Sequence, residues 1–293
     1  MTSDAISLLL RWVLPIALGT GIAGLARRTG SLSRSGAVAA AFVGTMALWA
    51  GWSWGAHLIV WFAIASLASR LGAARKQQHT AGVVAKGGTR DAWQVLANGG
   101  VFALLAAWHT ALHLWPDVWP SHDTLLTLST LGAAAALASA GADTLATEVG
   151  TWIGGTPWSI RTGQRVPPGT SGAVSLAGTI ALISAAILFA WIAVLTQLVY
   201  DPSTGGATSA HVVIVAIAAI GGAFVDTFIG AWYQQERWCT TCGESTEQIV
   251  HVCGTQTVVH RGLSWLTNDG VNVACTCVGA ALAMALAWRW GMI

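Results

Sequence analysis

Long apolar runs separated by short basic loops set the pattern of this chain. A helix that crosses a hydrocarbon core of about 30 Å needs about 20 mostly apolar residues. The runs that qualify are 5–26, 35–51, 54–69, 92–115, 125–150, 171–199, 211–234 and 262–287. The second and third adjoin, and no charged residue lies among the 35 positions between Arg34 and Arg70. One helix over that gap would extend about 52 Å, so the spacing predicts a hairpin bending near Gly51 and Gly55. The fold class predicted is an all-α polytopic transmembrane helical bundle of about eight spans. It forms a single transmembrane domain over 1–293, with a Cys/His-containing loop at 235–261.

The charges follow the same alternation. Eight crossings place Arg27, Arg28, Arg34, Arg70, Arg75, Lys76, Lys86, Arg90, Arg161, Arg165, Arg237 and Arg261 on one side. The other side receives Asp4, Asp117, Asp123 and Asp201, with Arg11 and Arg289 near the chain ends. This is the positive-inside distribution. It predicts an integral protein of a bacterial or archaeal plasma membrane, with the basic loops in the cytoplasm and both termini outside.

Composition agrees. Of the 293 residues, 54% are hydrophobic and only 9% charged, too few charges to clothe a water-soluble surface. The 17 tryptophans suit membrane–water interfaces. A net charge of +2 gives no electrostatic footprint for a nucleic-acid partner. The N-terminus has no short apolar core followed by a small-residue cleavage site, so the first run is expected to be a retained helix. The segments SGAVAAAFVGT at Ser35 and SGAVSLAGT at Ser171 resemble one another. An internal repeat of this kind would fit a transporter.

The chemistry lies in polar residues inside apolar spans. An ionisable group at membrane depth costs about 2.5–3.5 kcal/mol on insertion scales and usually marks function. Asp143, Glu148, Asp226 and Asp269 are such groups and form the candidate catalytic set, accompanied by Asn98, Asn268 and Asn272. Helical rise places them all in the inner third of the bilayer, on four helices. Any one alone would read as a cap or an interhelical hydrogen bond. In GADTLATEVG (141–150), Asp143 and Glu148 are about 140° apart, so they flank a cleft rather than share a face. Oxygen-rich groups of this kind suit a hard cation, Mg²⁺ or Mn²⁺, on Asp143, Asp226 and Asp269.

Basic residues complete the pattern. Lys86 and Arg90 flank a diglycine, and Arg161 and Arg165 precede a span whose predicted N-terminus carries Gly169, Thr170, Ser171 and Gly172. Helix N-termini and guanidinium forks bind phosphate. The candidate phosphate-binding set is therefore Lys86, Arg90, Asn98, Arg161, Arg165, Asn268 and Asn272. Ordinary charge anchoring accounts equally for any single basic residue. No GxxxxGK[ST] motif and no serine-triad elbow occur.

ADTLATEVG, RVPPGTSGAVSLAGT, RDAWQVLANGG, VDTFIGAWYQ and NDGVN occur in that chain. Together they resemble the integral-membrane family that includes the plant phytyl-phosphate kinase of vitamin E synthesis and an uncharacterised animal membrane protein. The resemblance runs from about Ser35 to Ala280. It implies phosphoryl transfer from a nucleoside triphosphate to an isoprenoid monophosphate, a lipid held in the membrane. It also implies site roles for Asp143, Glu148, Asp226, Asn268, Asp269 and Asn272, and for Asn98, Arg165 and Lys86.

Cys239 and Cys242 are spaced CxxC, with His251 and Cys253 following, a set that suits a structural Zn²⁺. The HxC second half departs from the usual spacings. Cys275 and Cys277 read as small core residues.

Three functions stand against this pattern. A lipid-phosphate kinase explains the inner polar layer and predicts one cavity near Asp143, Asp226 and Asp269, open to the inner side and sealed outward by apolar residues. A transporter or flippase of an anionic lipid or small anion predicts polar groups through the whole depth, whereas the outer halves of the spans read as chiefly Ala, Leu, Val, Ile and Trp. A scaffold leaves four buried carboxylates unexplained.

Overall fold

The computed structural model describes residues 9–80, 82–84, 88–201 and 208–292. Among these lie nine α-helices: α1 (Leu14–Arg28), α2 (Arg34–Ala50), α3 (Trp52–Arg70), α4 (Ala73–Thr80), α5 (Ala92–Leu114), α6 (His122–Ile153), α7 (Leu176–Tyr200), α8 (Ser209–Trp232) and α9 (Asn268–Arg289). Seven are long and apolar enough to cross a membrane: α1 with the turn before it, α3 and α5 to α9. The 17 residues of α2 add a helix about 26 Å long. The hairpin forms at Gly51, whose φ of 154° suits glycine alone.

Hydrogen bonds between loops define two ends. At one, the Arg70 guanidinium donates to Thr29 O (2.6 Å) and Ser31 Oγ (2.7 Å), and Ser33 N donates to Arg90 O (3.0 Å). The end of α1, the start of α2, the end of α3 and the start of α5 therefore share a level. Arg75 caps the end of α6 through Ile153 O (3.3 Å), and Arg261 binds Ala231 O at the end of α8. At the opposite end, Trp49 Nε1 donates to Trp12 O (3.3 Å), Ser53 bonds Asp201, and His122 Nε2 lies 3.2 Å from Leu112 O. Basic residues thus gather at one end, as the loop charges predict.

Helix α6 is the axis of the bundle. From Leu131 to Ala142 every residue is buried, so α6 is covered on all sides, as a central helix must be. Its alanines and glycines let neighbours approach closely. A Cβ on Gly222 of α8 would meet Ser139 Oγ at 2.6 Å and Cys275 O at 2.7 Å, and one on Gly279 of α9 would collide with Ser139. Helices α6, α8 and α9 therefore meet in a tight junction around Ser139.

Two small sheets lie at the basic end. β1 (Trp158–Ser159) pairs antiparallel with β2 (Ala173–Val174). β3 (Glu236–Cys239) pairs with β4 (Glu244–Thr246) and with β5 (Val258–Arg261), giving the order β4-β3-β5.

The span predicted over 171–199 starts later than expected. Gly172 and Ser171 are not a helix N-terminus: β2 intervenes, and α7 begins at Leu176 with Ser175 accepting from Gly178 N (3.1 Å). Gly172, at φ 70°, lies so close that a Cβ would strike Ala231. The backbone there turns to pair with β1 and pack on α8. The last helix likewise begins later than expected, at Asn268, because the residues before it bond the chain beyond α8: Leu263 N donates to Tyr233 O (2.9 Å) and Gln235 N to Leu266 O (2.8 Å).

Candidate functional site

The junction of α6, α8 and α9 fixes the site. Asp143 lies one turn beyond Ser139 on α6, and Asp226 one turn beyond Gly222 on α8. Both therefore face the same seam, on the side toward the basic end. Each lies within electrostatic reach of the other, Cys275 of α9 is near both, and Glu247 adds its charge beside Asp226. Asp226 Oδ2 is buried with no hydrogen-bond partner among the described residues.

From Cys275 the first turns of α9 run toward the basic end and carry Asn272, Asp269 and Asn268. Asn272 is buried and donates to Asn268 O (3.1 Å). Thr276 Oγ1 donates to Ala97 O (3.3 Å), which brings α5 against α9 beside Asn98. Asn98 itself donates to Gln94 O (2.9 Å). Asp143, Asp226, Asn98 and the α9 asparagines therefore lie at one level, on four helices.

Glu148 belongs elsewhere. It forms an ion pair with Lys76 of α4, whose ammonium also donates to Ala68 O and Ser69 O, both at 2.9 Å. Glu148 faces away from Asp143 and ties α4 to α6, so it does not join the carboxylates at the seam.

The basic candidates divide. Arg90 is committed to α3: it donates to Ser66 Oγ (2.9 Å), Ala65 O (3.2 Å) and Ser69 Oγ (3.1 Å) and lies over Phe62. Arg165 donates to Thr156 Oγ1 (2.7 Å) and stacks on Trp158. Arg161 and Arg165 are exposed in the β1–β2 loop. Lys86 lies outside the described residues.

Glu247 escaped the sequence reading because it lies in the Cys/His loop, far from any span. It accepts from Ser171 Oγ (2.7 Å) and Gln234 Nε2 (2.6 Å). That loop gathers Cys239, Cys242, His251 and Cys253, with all four ligand atoms within 4.8 Å of one another. Hydrogen bonding with Thr255, then with His251, holds the Cys253 thiol down at about 6, and the bond to Cys253 pushes that of Cys242 up to about 12.

Two cavities matter. The first, of about 100 Å³, opens between α1, α2, α3 and α5. Its walls are apolar (Ile22, Val43, Leu48, Phe62 among them), but Arg90, Gln94, Asn98 and Thr144 line its basic end. Thr144 adjoins Asp143. The second, of about 30 Å³, lies at the opposite end among Ser53, His57, Thr130, Thr196, Gln197 and His211. Neither is lined by Asp143, Asp226 or Asp269, contrary to the single cavity expected there.

The second cavity corrects the expectation of a chiefly apolar outer half. His109 bonds Ser129 (2.8 Å) and His113 (3.2 Å) nearby. His109 packs against Trp54 and His57 against Phe102, in spans whose mean hydropathy conceals these histidines. The two polar ends are nevertheless separated. On α6 the nine steps from Ala134 to Asp143 rise about 13.5 Å, and Ala135 to Ala138, with Phe189 and Ala186 of α7 and Ala218 and Ala219 of α8, are fully buried.

Comparison with known proteins gives the same class. The family described as "Integral membrane protein DUF92" matches residues 17–280. "Protein PGR" of Arabidopsis thaliana is 27% identical over 271 residues, 89% of this chain and 91% of that one. "Uncharacterized membrane protein sll0875" of Synechocystis sp. is 30% identical, covering 82% of this chain and 76% of its own. "Protein VTE6, chloroplastic" of Arabidopsis thaliana is 25% identical, covering 87% of this chain and 65% of its own. No solved structure matches.

Proposed function

The chain belongs to the DUF92 integral-membrane family, and from that premise we propose that it is a membrane-embedded kinase transferring a phosphoryl group from a nucleoside triphosphate to an isoprenoid monophosphate. The similarity to Protein VTE6 supports this, together with the motif resemblance to the phytyl-phosphate kinase family.

One observation carries the proposal. Asp143 and Glu247 each lie within electrostatic reach of Asp226, on the side toward the basic end, and an oxygen of Asp226 is buried without a hydrogen-bond partner among the described residues. Close carboxylates repel unless a cation lies between them. Mg²⁺ takes one or two carboxylates and shares its remaining positions with phosphates. Asp143 and Asp226 would hold it, and Asp269, Asn268 and Asn272, in the first turns of α9, would orient a phosphate. Bound there, the metal supplies neutralisation of the charge that develops on the transferred group. The protein needs only to position donor and acceptor in line.

The apolar cavity supports an acceptor with a hydrocarbon tail. On this reading a branched isoprenoid tail would lie between α1, α2, α3 and α5, with its phosphate toward Gln94, Asn98 and Thr144 at the basic end of the cavity. The nucleotide reaches the site from the basic face, the cytoplasm on this reading, where Arg161 and Arg165 are exposed. The apolar layer beyond Asp143 argues against the transporter, since a bare phosphate cannot pass through it.

Purified protein should convert at least one member of a panel of isoprenyl monophosphates, given a nucleoside triphosphate and Mg²⁺, to the diphosphate. Chelator should stop the reaction. Failure with every acceptor and every nucleotide would refute the proposal.

A further inference from the structure

We propose that Cys239, Cys242, His251 and Cys253 bind one Zn²⁺, and that this metal clasps the loop bearing Glu247 onto the basic face of the bundle. The four ligand atoms lie within 4.8 Å of one another. Cys239 Sγ and Cys253 Sγ are 3.6 Å apart, and His251 Nδ1 is 3.3 Å from Cys253 Sγ. Tetrahedral zinc, with Zn–S of about 2.3 Å and Zn–N of about 2.0 Å, requires about 3.8 Å between sulfurs and about 3.5 Å between nitrogen and sulfur. The loop matches this closely. Three thiolates and an imidazole select a borderline-soft metal over Mg²⁺.

The outer shell fits as well. With Nδ1 on the metal, His251 directs Nε2 away from it. That nitrogen is buried without a hydrogen bond among the described residues, and Glu244 Oε2 stands 3.9 Å off. A carboxylate behind a ligating histidine is the usual orienting partner.

The clasp follows from what lies between the ligands. From Cys242 to His251 the chain carries Thr246, Glu247 and Gln248. Glu247 N donates to Val83 O (2.8 Å), Thr246 Oγ1 to Val83 O (3.3 Å) and Gln248 Nε2 to Val84 O (3.0 Å). The metal closes this loop at both ends, so these bonds and the two that hold Glu247 Oε1 act as one unit. That Glu247 thereby serves phosphoryl transfer rests on the function proposed above; the metal site does not.

The test uses full-length protein. Elemental analysis should find about one zinc per chain. Cys239→Ser and Cys253→Ser should lose it, while Cys277→Ser, outside the cluster, should keep it. In wild-type protein, Cys239, Cys242 and Cys253 should resist a thiol reagent until a strong chelator is added. Chelation should also speed hydrogen exchange at the Glu247 amide. No stoichiometric zinc, another metal in its place, or thiols equally reactive before and after chelation would overturn the site. Unchanged exchange at Glu247 would overturn the clasp. These readings need no substrate, so they stand or fall apart from the kinase assay.

Discussion

Asp226 and Glu148 show how differently two intramembrane carboxylates can serve. Asp226 shares its seam with Asp143 and Glu247, and its Oδ2 is buried and unpartnered among the described residues. Asp226→Asn and Asp143→Asn should each lower kcat by about 10²–10³-fold, the size of loss seen when one preorganised electrostatic contact to a transition state is removed. Because each also relieves repulsion, thermal unfolding should occur at the same temperature or higher. A matching fall in both activity and melting temperature would make these residues structural. Glu148, in contrast, balances a buried ammonium, with the Lys76 side chain 9% and that of Glu148 23% exposed. Glu148→Gln should cost about 3 kcal/mol by stranding Lys76, and Lys76→Met added to it should recover much of that loss. Unchanged unfolding of Glu148→Gln would dismiss the pair as a structural tie. Sequence spacing put Asp143 and Glu148 on different faces but could not say which face met a lysine. That partner comes from α4, a short polar helix with no span to mark it. Glu247 was equally hidden, since its place depends on how the Cys/His loop folds back.

At the scale of elements, the hairpin at Gly51 was legible because a charge-free gap too long for one helix must turn, and glycine stands where it turns. The start of α7 was not. The same apolar run continues through Ala173 and Val174, and only pairing with Trp158 and Ser159 diverts those residues into β2. The tight crossing of α6, α8 and α9 gives a direct test. Any side chain on Gly279 collides with Ser139, so Gly279→Leu should cost about 3 kcal/mol through overpacking. Gly24 has open space around its Cβ position, so Gly24→Ala should be neutral or stabilise by about 0.5–1 kcal/mol. Thermal unfolding in detergent checks both. Equal effects at the two positions would mean that the junction is looser than described.

For the molecule as a whole, alternating charge and apolar length are enough to define the class and the two ends. The polar cavity at the far end is not legible in the sequence, because isolated histidines, threonines and a glutamine barely alter the hydropathy of long spans. What distinguishes a kinase from a transporter is the buried layer between Ala134 and Asp143, together with an apolar cavity whose polar mouth meets Thr144. The most direct measurement follows a label on the γ-phosphoryl group of a nucleoside triphosphate supplied to the basic face of proteoliposomes containing isoprenyl monophosphate and Mg²⁺. The account predicts that the label enters the lipid extract as isoprenyl diphosphate, and that Asp226→Asn prevents this. Label that never reaches lipid under any acceptor, but accumulates as anion in the vesicle lumen, would contradict it.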